Sequence, residues 1–306
     1  MEDKMRSERY KKKKSKWKVF RNIMFLVIIV IFAGAAFAYY RIQPAQHFNA
    51  GSVNILLLGS DQRPGETIGH SDTMILAHVD VNRHQVKAIS IPRDTRVHLP
   101  GYGYTKLTSV QYVLQSKHGP KQGIAEAVKV ISDFTGVPVD YYAETNFQGI
   151  QAMVDALGGI TMNVPETVKI GSQVFQPGPH FVNGTTALAL ARERHSAAGG
   201  DYGRQMAQIE ILKGIAKEAL SPGNLPKLPS LLNSSSNYML ATNMSTSDMA
   251  SLGLALKNID PNTDVKYKQL QGTQESLYDD VLQAYNDQIV LNQQKVKKTI
   301  TAFFQD

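Results

Sequence analysis

The sequence predicts an α/β protein: a three-layer α/β/α sandwich with a mixed central sheet, preceded by one transmembrane helix. Three observations predict it. From residue 53 onward, short apolar runs bounded by Gly, Pro and polar turns alternate with stretches of helical spacing. Two of the early runs are separated by only four residues, which makes an antiparallel pair inside an otherwise parallel pattern. Residues 23–40 form an uncharged, almost wholly apolar stretch of 18 residues, roughly 27 Å long as a helix and just enough to cross a hydrocarbon core.

The charge explains the orientation of that stretch. The chain carries 33 Lys plus Arg against 26 Asp plus Glu, a net of +7. Residues 1–22 hold ten basic and three acidic side chains, 10 − 3 = +7, so the other 284 residues are neutral. A basic tail on one side only, with Trp17 before the run and Tyr39, Tyr40 and Arg41 after it, places the tail in the cytoplasm and everything beyond residue 41 outside. The rival reading is a cleaved signal peptide at Ala36-Phe37-Ala38; the long basic segment and the length of the apolar run favour an uncleaved anchor. Because the excess charge sits in this tail, the folded part has no basic footprint for nucleic acid. The absence of Cys excludes disulfides, thiolate metal sites and cysteine nucleophiles together.

Residues 41–52 read as a spacer. Residues 53–59 (VNILLLG) are apolar without alternation, the pattern of a strand buried on both faces. Residues 73–81 and 86–91 form the expected strand pair, the second stopped by Pro92. Ile124, Val128, Ile131 and Phe134 give residues 123–135 helical spacing. Residues 141–145 are expected as a strand, 147–157 as a helix and 160–164 as a strand after Gly158-Gly159. Two helices follow, 184–191 capped by Asn183 and 202–220 capped by Asp201. Residues 221–229 break the pattern; 247–259 reads as helix, 265–270 as strand and 281–304 as one or two amphipathic helices. The organisation expected is therefore tail 1–22, anchor 23–40, linker 41–52, a main unit 53–220 and a part 221–306 that completes the outer domain.

Two strands run into loops of unusual polarity, Ser60-Asp61-Gln62-Arg63 and Arg93-Asp94-Thr95-Arg96, and Asp72 opens the second strand. In open α/β sheets ligands bind where strands end. Taken singly, such residues are ordinary turn chemistry. The stronger signal is Arg192-Glu-Arg194 followed by Asp201-Tyr-Gly203-Arg204 and Gln208. On a helix 201, 204 and 208 share a face that continues as Ile211 and Ile215, so the polar residues point inward. Arg204 near a helix start opposes the macrodipole unless an anion sits between them. Arg192 and Arg194 suit a dipole-complementing last turn as well, but with Arg63, Arg93 and Arg204 they suggest a polyphosphate gripped by guanidinium forks. The nearby carboxylates would then hold Mg²⁺ against phosphate oxygens. No P-loop and no Gly-x-Ser-x-Gly elbow is present.

Asn54-Ile-Leu-Leu-Leu-Gly59-Ser-Asp61, Ser71-Asp72-Thr73-Met, Ser90-Ile-Pro-Arg93-Asp94-Thr95, Lys106-Leu, Val154-Asp-Ala-Leu-Gly-Gly159, Arg192-x-Arg194 and Gly200-Asp201-Tyr-Gly-Arg204-x-x-x-Gln208 occur in that order between about residues 53 and 220. The pattern resembles the LytR-CpsA-Psr (LCP) family. The resemblance implies an extracellular, membrane-anchored phosphotransferase that moves a glycopolymer of teichoic acid or capsule type from an undecaprenyl-pyrophosphate carrier onto peptidoglycan, with Mg²⁺. It implies Asp61 and Asp72 at the metal and pyrophosphate, and Arg93, Arg192 and Arg194 on the diphosphate during catalysis. Arg204 and Gln208 bind it too, Arg63, His70 and Lys106 join the substrate contacts, and Asp201 is a metal-site or base candidate. The partners implied are the polyprenyl-pyrophosphate-linked glycan donor, the peptidoglycan acceptor and the cytoplasmic membrane, with no nucleic acid. Two positions depart from the pattern: His70 and Ala207 stand where Arg is common, which implies weaker diphosphate affinity or a different donor. The lipid tail is expected between the sheet and the helices 123–135 and 147–157. The competing functions are a lipid-pyrophosphate hydrolase, a non-catalytic wall-polymer binding module, and a membrane-bound transcriptional regulator or attenuator of the LytR type.

Overall fold

The computed structural model describes residues 51–192, 201–224 and 239–306, with the side chains of all of these but 201 and 202. In chain order the elements are β1 Ser52–Ser60, β2 Ser71–Asp80, β3 Gln85–Ser90, β4 Arg96–Leu99, β5 Gly103–Lys106, α1 Leu107–His118, α2 Pro120–Thr135, β6 Tyr141–Asn146, α3 Phe147–Ala156, β7 Ile160–Val164, β8 Val168–Ile170, β9 Gln173–Phe175, β10 Gly178–Val182, α4 Gly184–Arg192, α5 Asp201–Ala219, β11 Met239–Thr242, α6 Thr246–Ala255, β12 Val265–Gln269, β13 Thr273–Asp279, β14 Ala284–Val290 and α7 Gln293–Gln305. No helix among the described residues is long and apolar enough to cross a membrane; residues 23–40, expected to do so, lie outside them.

The central sheet has six strands in the order β11-β6-β1-β2-β3-β12. β1 runs antiparallel to β2 and parallel to β6, and β3 runs antiparallel to β2 and parallel to β12, so the sheet is mixed as expected. Strands β11 and β12, from the C-terminal part, form its two edges. Because side chains alternate along a strand, each strand feeds two layers. Leu56, Leu58, Met74, Leu76, Ile89 and Ile91 pack with residues of α1, α2 and α7 on one face. On the other, Val53, Ile55 and Val79 meet Leu252 of α6 and Met244 and Leu256 beside it, and Ile75 and Ala88 meet Ile209 and Leu212 of α5. Covering on both faces is why residues 53–59 are continuously apolar.

A second core lies beside the first, built from Val154 of α3, the β7–β10 pair, Ala187 and Leu190 of α4, and Ile211 of α5. Helix α5 joins the two cores, with Ile209 in one and Ile211 in the other. Local chemistry sets the helix ends. Pro120 opens α2 and Gly136, at φ 73°, closes it with its N–H on Ser132 O. Asn146 caps α3 by accepting from Gly149 N, Asn183 accepts from Thr186 N at the start of α4, and Ser245 with Asp248 forms a capping box on α6.

Two expectations need correction. Residues 281–304 are not all helix: 284–290 is strand β14, paired along its length with β13, and helix starts only at Gln293. The turn between them is set by Asp279, whose Oδ1 accepts from Val281 N at 3.0 Å and Leu282 N at 2.9 Å, with Gln283 at φ 53°. The second concerns 123–135. Its apolar side does face the sheet, but in the α1/α2/α7 layer, away from α3 and α5.

Leu76 is fully buried at the centre of the sheet. Leu76→Ala should cost about 2 to 5 kcal/mol by loss of transfer energy and cavity formation, measured by urea unfolding. A cost under about 1 kcal/mol would mean that this face of the sheet is not packed as described.

Candidate active site

The site forms where β1 ends and β2 begins. Asp61 follows β1 directly, and the loop from 61 to 70 returns to it: Asp61 N donates to His70 O at 3.1 Å, and His70 N donates to Asp61 Oδ1 at 2.7 Å. The imidazole Nδ1 lies 3.3 Å from Asp61 Oδ2, and the ring stacks on Tyr112 of α1 with centroids 4.5 Å apart. Arg63 N donates to Glu66 Oε2 at 2.7 Å, and Asn146 Nδ2 holds Gln62 O at 3.0 Å. A side chain at Gly69 would put its Cβ 2.5 Å from Ser60 Oγ and 3.0 Å from Asp61 Oδ1, so only glycine lets the loop close this tightly.

Asp72, the second residue of β2, accepts from Arg93 Nη1 at 2.6 Å. Arg93 Nε lies 3.7 Å from Asp94 Oδ2, and Lys106 Nζ lies 2.9 Å from Asp94 Oδ1. This loop is braced from behind by the β13–β14 hairpin, through Ile289 N donating to Asp94 O at 2.8 Å. β4 and β5, four residues each, carry little signal of their own, and the bracing pairs Arg96 with Gln288, 192 residues apart, at 2.6 Å.

A cavity of about 1030 Å³ opens here, and Asp61, Arg63, His70, Asp72, Arg192, Arg204 and Gln208 all line it. Arg93 and Lys106 are not among its lining residues; Arg93 adjoins it through Asp72, whereas Lys106 pairs with Asp94, which does not line it either. Arg204 is 6% exposed, facing inward as its position on the α5 stripe predicts. Arg192 ends α4 and lies over the Phe147 ring at 5.0 Å. Gln208 Oε1 is buried with no hydrogen-bond partner among the described residues, so it has an acceptor to offer. Arg194 and the side chain of Asp201 lie outside the described residues.

Behind this polar mouth is a second cavity of about 250 Å³, lined by Leu57, Ile75, Ile150, Met153, Ile211 and Ile215 among others. Asp72, Phe147, Leu188, Ala191 and Gln208 line both, so the polar and apolar spaces adjoin. Its walls are the sheet, α3, α4 and α5. The groove expected at 147–157 is therefore on the α3 side, with α5 rather than 123–135 as the opposite wall. Tyr112 and Phe147 were not singled out in the sequence because a lone aromatic in a helix reads as core.

Beneath the mouth, Glu144 of β6 is 2% exposed. Burial pushes its pKa above the ordinary carboxylate range, opposed by hydrogen bonds with Gln111 and Ser60. Among the described residues no group of three or more His, Asp or Glu side chains forms a preformed metal cage. Asp72 gives only Oδ1 to Arg93, whereas Asp61 has both oxygens against His70, Oδ1 on the backbone N–H and Oδ2 3.3 Å from Nδ1, so a cation would take Asp72 Oδ2 and would have to share or replace the imidazole contact at Asp61. Two carboxylates with the remaining ligands from phosphate and water is a donor set that suits Mg²⁺.

The LytR_cpsA_psr family model matches residues 27–303. The chain belongs to that family. A teichoic acid transferase of Oceanobacillus iheyensis, named polyisoprenyl-teichoic acid–peptidoglycan teichoic acid transferase TagU, is 29% identical over 273 residues, 81% of this chain and 82% of that protein. Among solved structures, B. subtilis TagV superposes with a TM-score of 0.67 at 26% identity, covering 83% of this chain and 97% of that one. TagT bound to LI-WTA superposes with a TM-score of 0.65 at 27% identity, covering 84% and 91%.

The raised pKa of Glu144 carries a sign. A carboxyl that binds its proton more tightly when folded adds stability at low pH, and that stability is lost as pH rises through the folded pKa. Glu144→Gln removes the ionisation, so the Tm difference between Glu144→Gln and wild type should grow from pH 4 to pH 8 in favour of the variant. A pH-independent difference would show that Glu144 titrates normally.

Proposed function

We propose that this chain transfers a glycopolymer of teichoic acid or capsule type from a polyisoprenyl-pyrophosphate carrier to peptidoglycan. The observation that carries this is a guanidinium-lined polar mouth set directly against an apolar channel, with five lining residues in common. Such a pair of spaces fits a ligand with an anionic head and a hydrocarbon tail. The names of the relatives, teichoic acid transferases acting on polyisoprenyl-linked donors, agree with it.

In this reading Arg192 and Arg204 grip the diphosphate, joined by Arg63 at the rim and by Arg194. The acceptor hydroxyl of the glycan strand attacks the phosphorus nearer the glycopolymer. A new phosphorus–oxygen bond forms, the bond to the other phosphate breaks, and polyprenyl phosphate leaves with the electron pair. The hydroxyl proton passes to a carboxylate, for which Asp201 at the start of α5 is the candidate. Arg93 holds Asp72 in place, and Lys106 does the same for Asp94. Asp61 and Asp72 would hold Mg²⁺, which when bound supplies positive charge against the phosphate oxygens. His70, paired to Asp61 and stacked on Tyr112, spends its Nδ1 on the carboxylate and so offers the ligand less than an Arg there.

The hydrocarbon tail enters between the sheet and α3, α4 and α5. The remainder of a long polyisoprenyl chain stays in the bilayer, which requires the domain to sit at a membrane. We place residues 1–22 in the cytoplasm, 23–40 across the membrane and the folded domain outside, on the strength of the charge asymmetry and the apolar run.

Three outcomes check this reading. Charge-assisted bonds to phosphate are each worth on the order of 1.5 to 3 kcal/mol, so Arg204→Ala should lower transfer at least about tenfold with its Tm retained; full activity would remove Arg204 from the diphosphate. Ile150→Trp fills the apolar channel and should raise KM for a long-chain lipid donor while sparing a donor with a short tail; equal effects on both would place the tail elsewhere. Protease added to intact cells should digest the domain and spare the tail, whereas digestion only after permeabilisation would reverse the orientation.

A further inference from the structure

Each of the two candidate carboxylates is preceded by a buried serine. Ser60 comes before Asp61 and Ser71 before Asp72, and both serines are 2% exposed. They face each other as the last partners of the β1–β2 ladder, where the register shifts after Gly59. Ser71 Oγ donates to Gln111 Oε1 at 2.5 Å. Gln111 Nε2 in turn donates to Glu144 Oε1, and Glu144 is also hydrogen-bonded with Ser60. Ser60 Oγ accepts from Gln62 N at 3.2 Å, tying the chain to the first turn of the loop after Asp61. Four elements, β1, β2, α1 and β6, therefore meet in one polar chain.

None of the four side chains lines the polar mouth, so none touches a diphosphate there. Nor does stability require them. A buried hydrogen-bonded group contributes little net, and replacing both partners by apolar groups of similar shape is often close to neutral. What the chain does supply is geometry: it joins the residue before Asp61 to the residue before Asp72 through hydrogen bonds of fixed direction. The upward direction of the Glu144 pKa, set by burial, is in keeping with a carboxyl held inside this chain by Gln111 and Ser60.

We propose that Ser60, Glu144, Gln111 and Ser71 form a positioning device that fixes the separation of Asp61 and Asp72, with Glu144 at its centre. The role rests on the proposed transfer reaction. The aspartates are the reacting site's carboxylates; Ser71 and Gln111 act only through them, while Ser60 and Glu144 also border the apolar channel, which is why donor Kd is read beside kcat. Displacing a group at a reacting centre by about 1 Å costs on the order of a hundredfold in rate, so loosening one link of this chain should appear in kcat.

The test uses the full chain in detergent with a lipid-pyrophosphate-linked glycan donor, measuring kcat, KM, donor Kd without acceptor, and Tm. Glu144→Gln reproduces the shape and donors of the neutral acid and should keep kcat within about twofold. Ser71→Ala removes one buried hydroxyl and leaves Gln111 Oε1 without its donor; it should lower kcat about tenfold with donor Kd within about twofold and Tm lowered by several degrees, the variant remaining folded at the assay temperature. The double variant Glu144→Leu with Gln111→Leu should remain folded and lose more. If Ser71→Ala and a folded double variant keep wild-type kcat, the chain positions nothing and the inference fails. It fails equally if Glu144→Gln falls as far as the double variant, or if kcat is lost only at temperatures where the variant has begun to unfold. Should the double variant not fold, Ser71→Ala alone decides. A wild-type chain with no turnover would instead overturn the proposed function, so the two failures are distinguishable.

Discussion

The site depends on where strand β1 stops. Buried on both faces, β1 pairs with β2 on one side and β6 on the other, so its last residue has no freedom to shift along the sheet. Ser60 pairs with Ser71 across to β2 and with Asn146 across to β6. The next residues of these strands are Asp61, Asp72 and Phe147, and the cavity grows from those three positions. A slip of one residue in β1 would send Ile55 and Leu57 to the wrong face and would withdraw Asp61 from the mouth in the same movement. Core packing and site geometry are therefore one constraint, which is why polar residues at this strand end tolerate burial that elsewhere would be costly.

Helix α5 carries the change of environment within the site. Arg204 and Gln208 stand at its first turns and face the polar mouth, while Ile211, Leu212 and Ile215 line the dry channel one and two turns later. A single helix thus meets both ends of an amphiphile, at a spacing fixed by about 1.5 Å of rise per residue. Placing the arginine near the helix start adds the favourable field of that terminus to the guanidinium, and an anion between them satisfies both. The arginine-lined mouth and the apolar channel adjoin along α5. They are successive turns of one element packed between the two cores.

Much of this was legible in the chain, and the reasons differ by element. β1, β2 and β3 were readable because burial on both faces leaves an unbroken apolar run that turn residues delimit. The inward stripe of Arg204, Gln208, Ile211 and Ile215 was readable because helical period alone aligns it. Periodicity shows which side of a helix is apolar but not which side of the sheet receives it, so α2 was assigned to the wrong layer. Strand β14 reads as helix because Leu282, Tyr285, Ile289 and Val290 fit a period of 3.6 and show no strand alternation, and the deciding feature is the Asp279 turn. Glu144 gave no signal, since its significance lies in contacts with Ser60 and Gln111 from other elements. The pairing of Arg93 with Asp72, two residues both marked in the sequence, was equally beyond reach, because the residues adjoin only once β2 and β3 are in register.

If the adjoining polar and apolar spaces take the head and the tail of one lipid pyrophosphate, a crystal structure of residues 51–306 with a short-chain polyprenyl pyrophosphate and Mg²⁺ will show it. The diphosphate is expected against Arg192 and Arg204, the cation at Asp61 and Asp72, and the hydrocarbon running past Phe147 and Gln208 between the sheet and α5. A tail lodged on the α1/α2/α7 face, or a diphosphate bound away from Arg204, would contradict it.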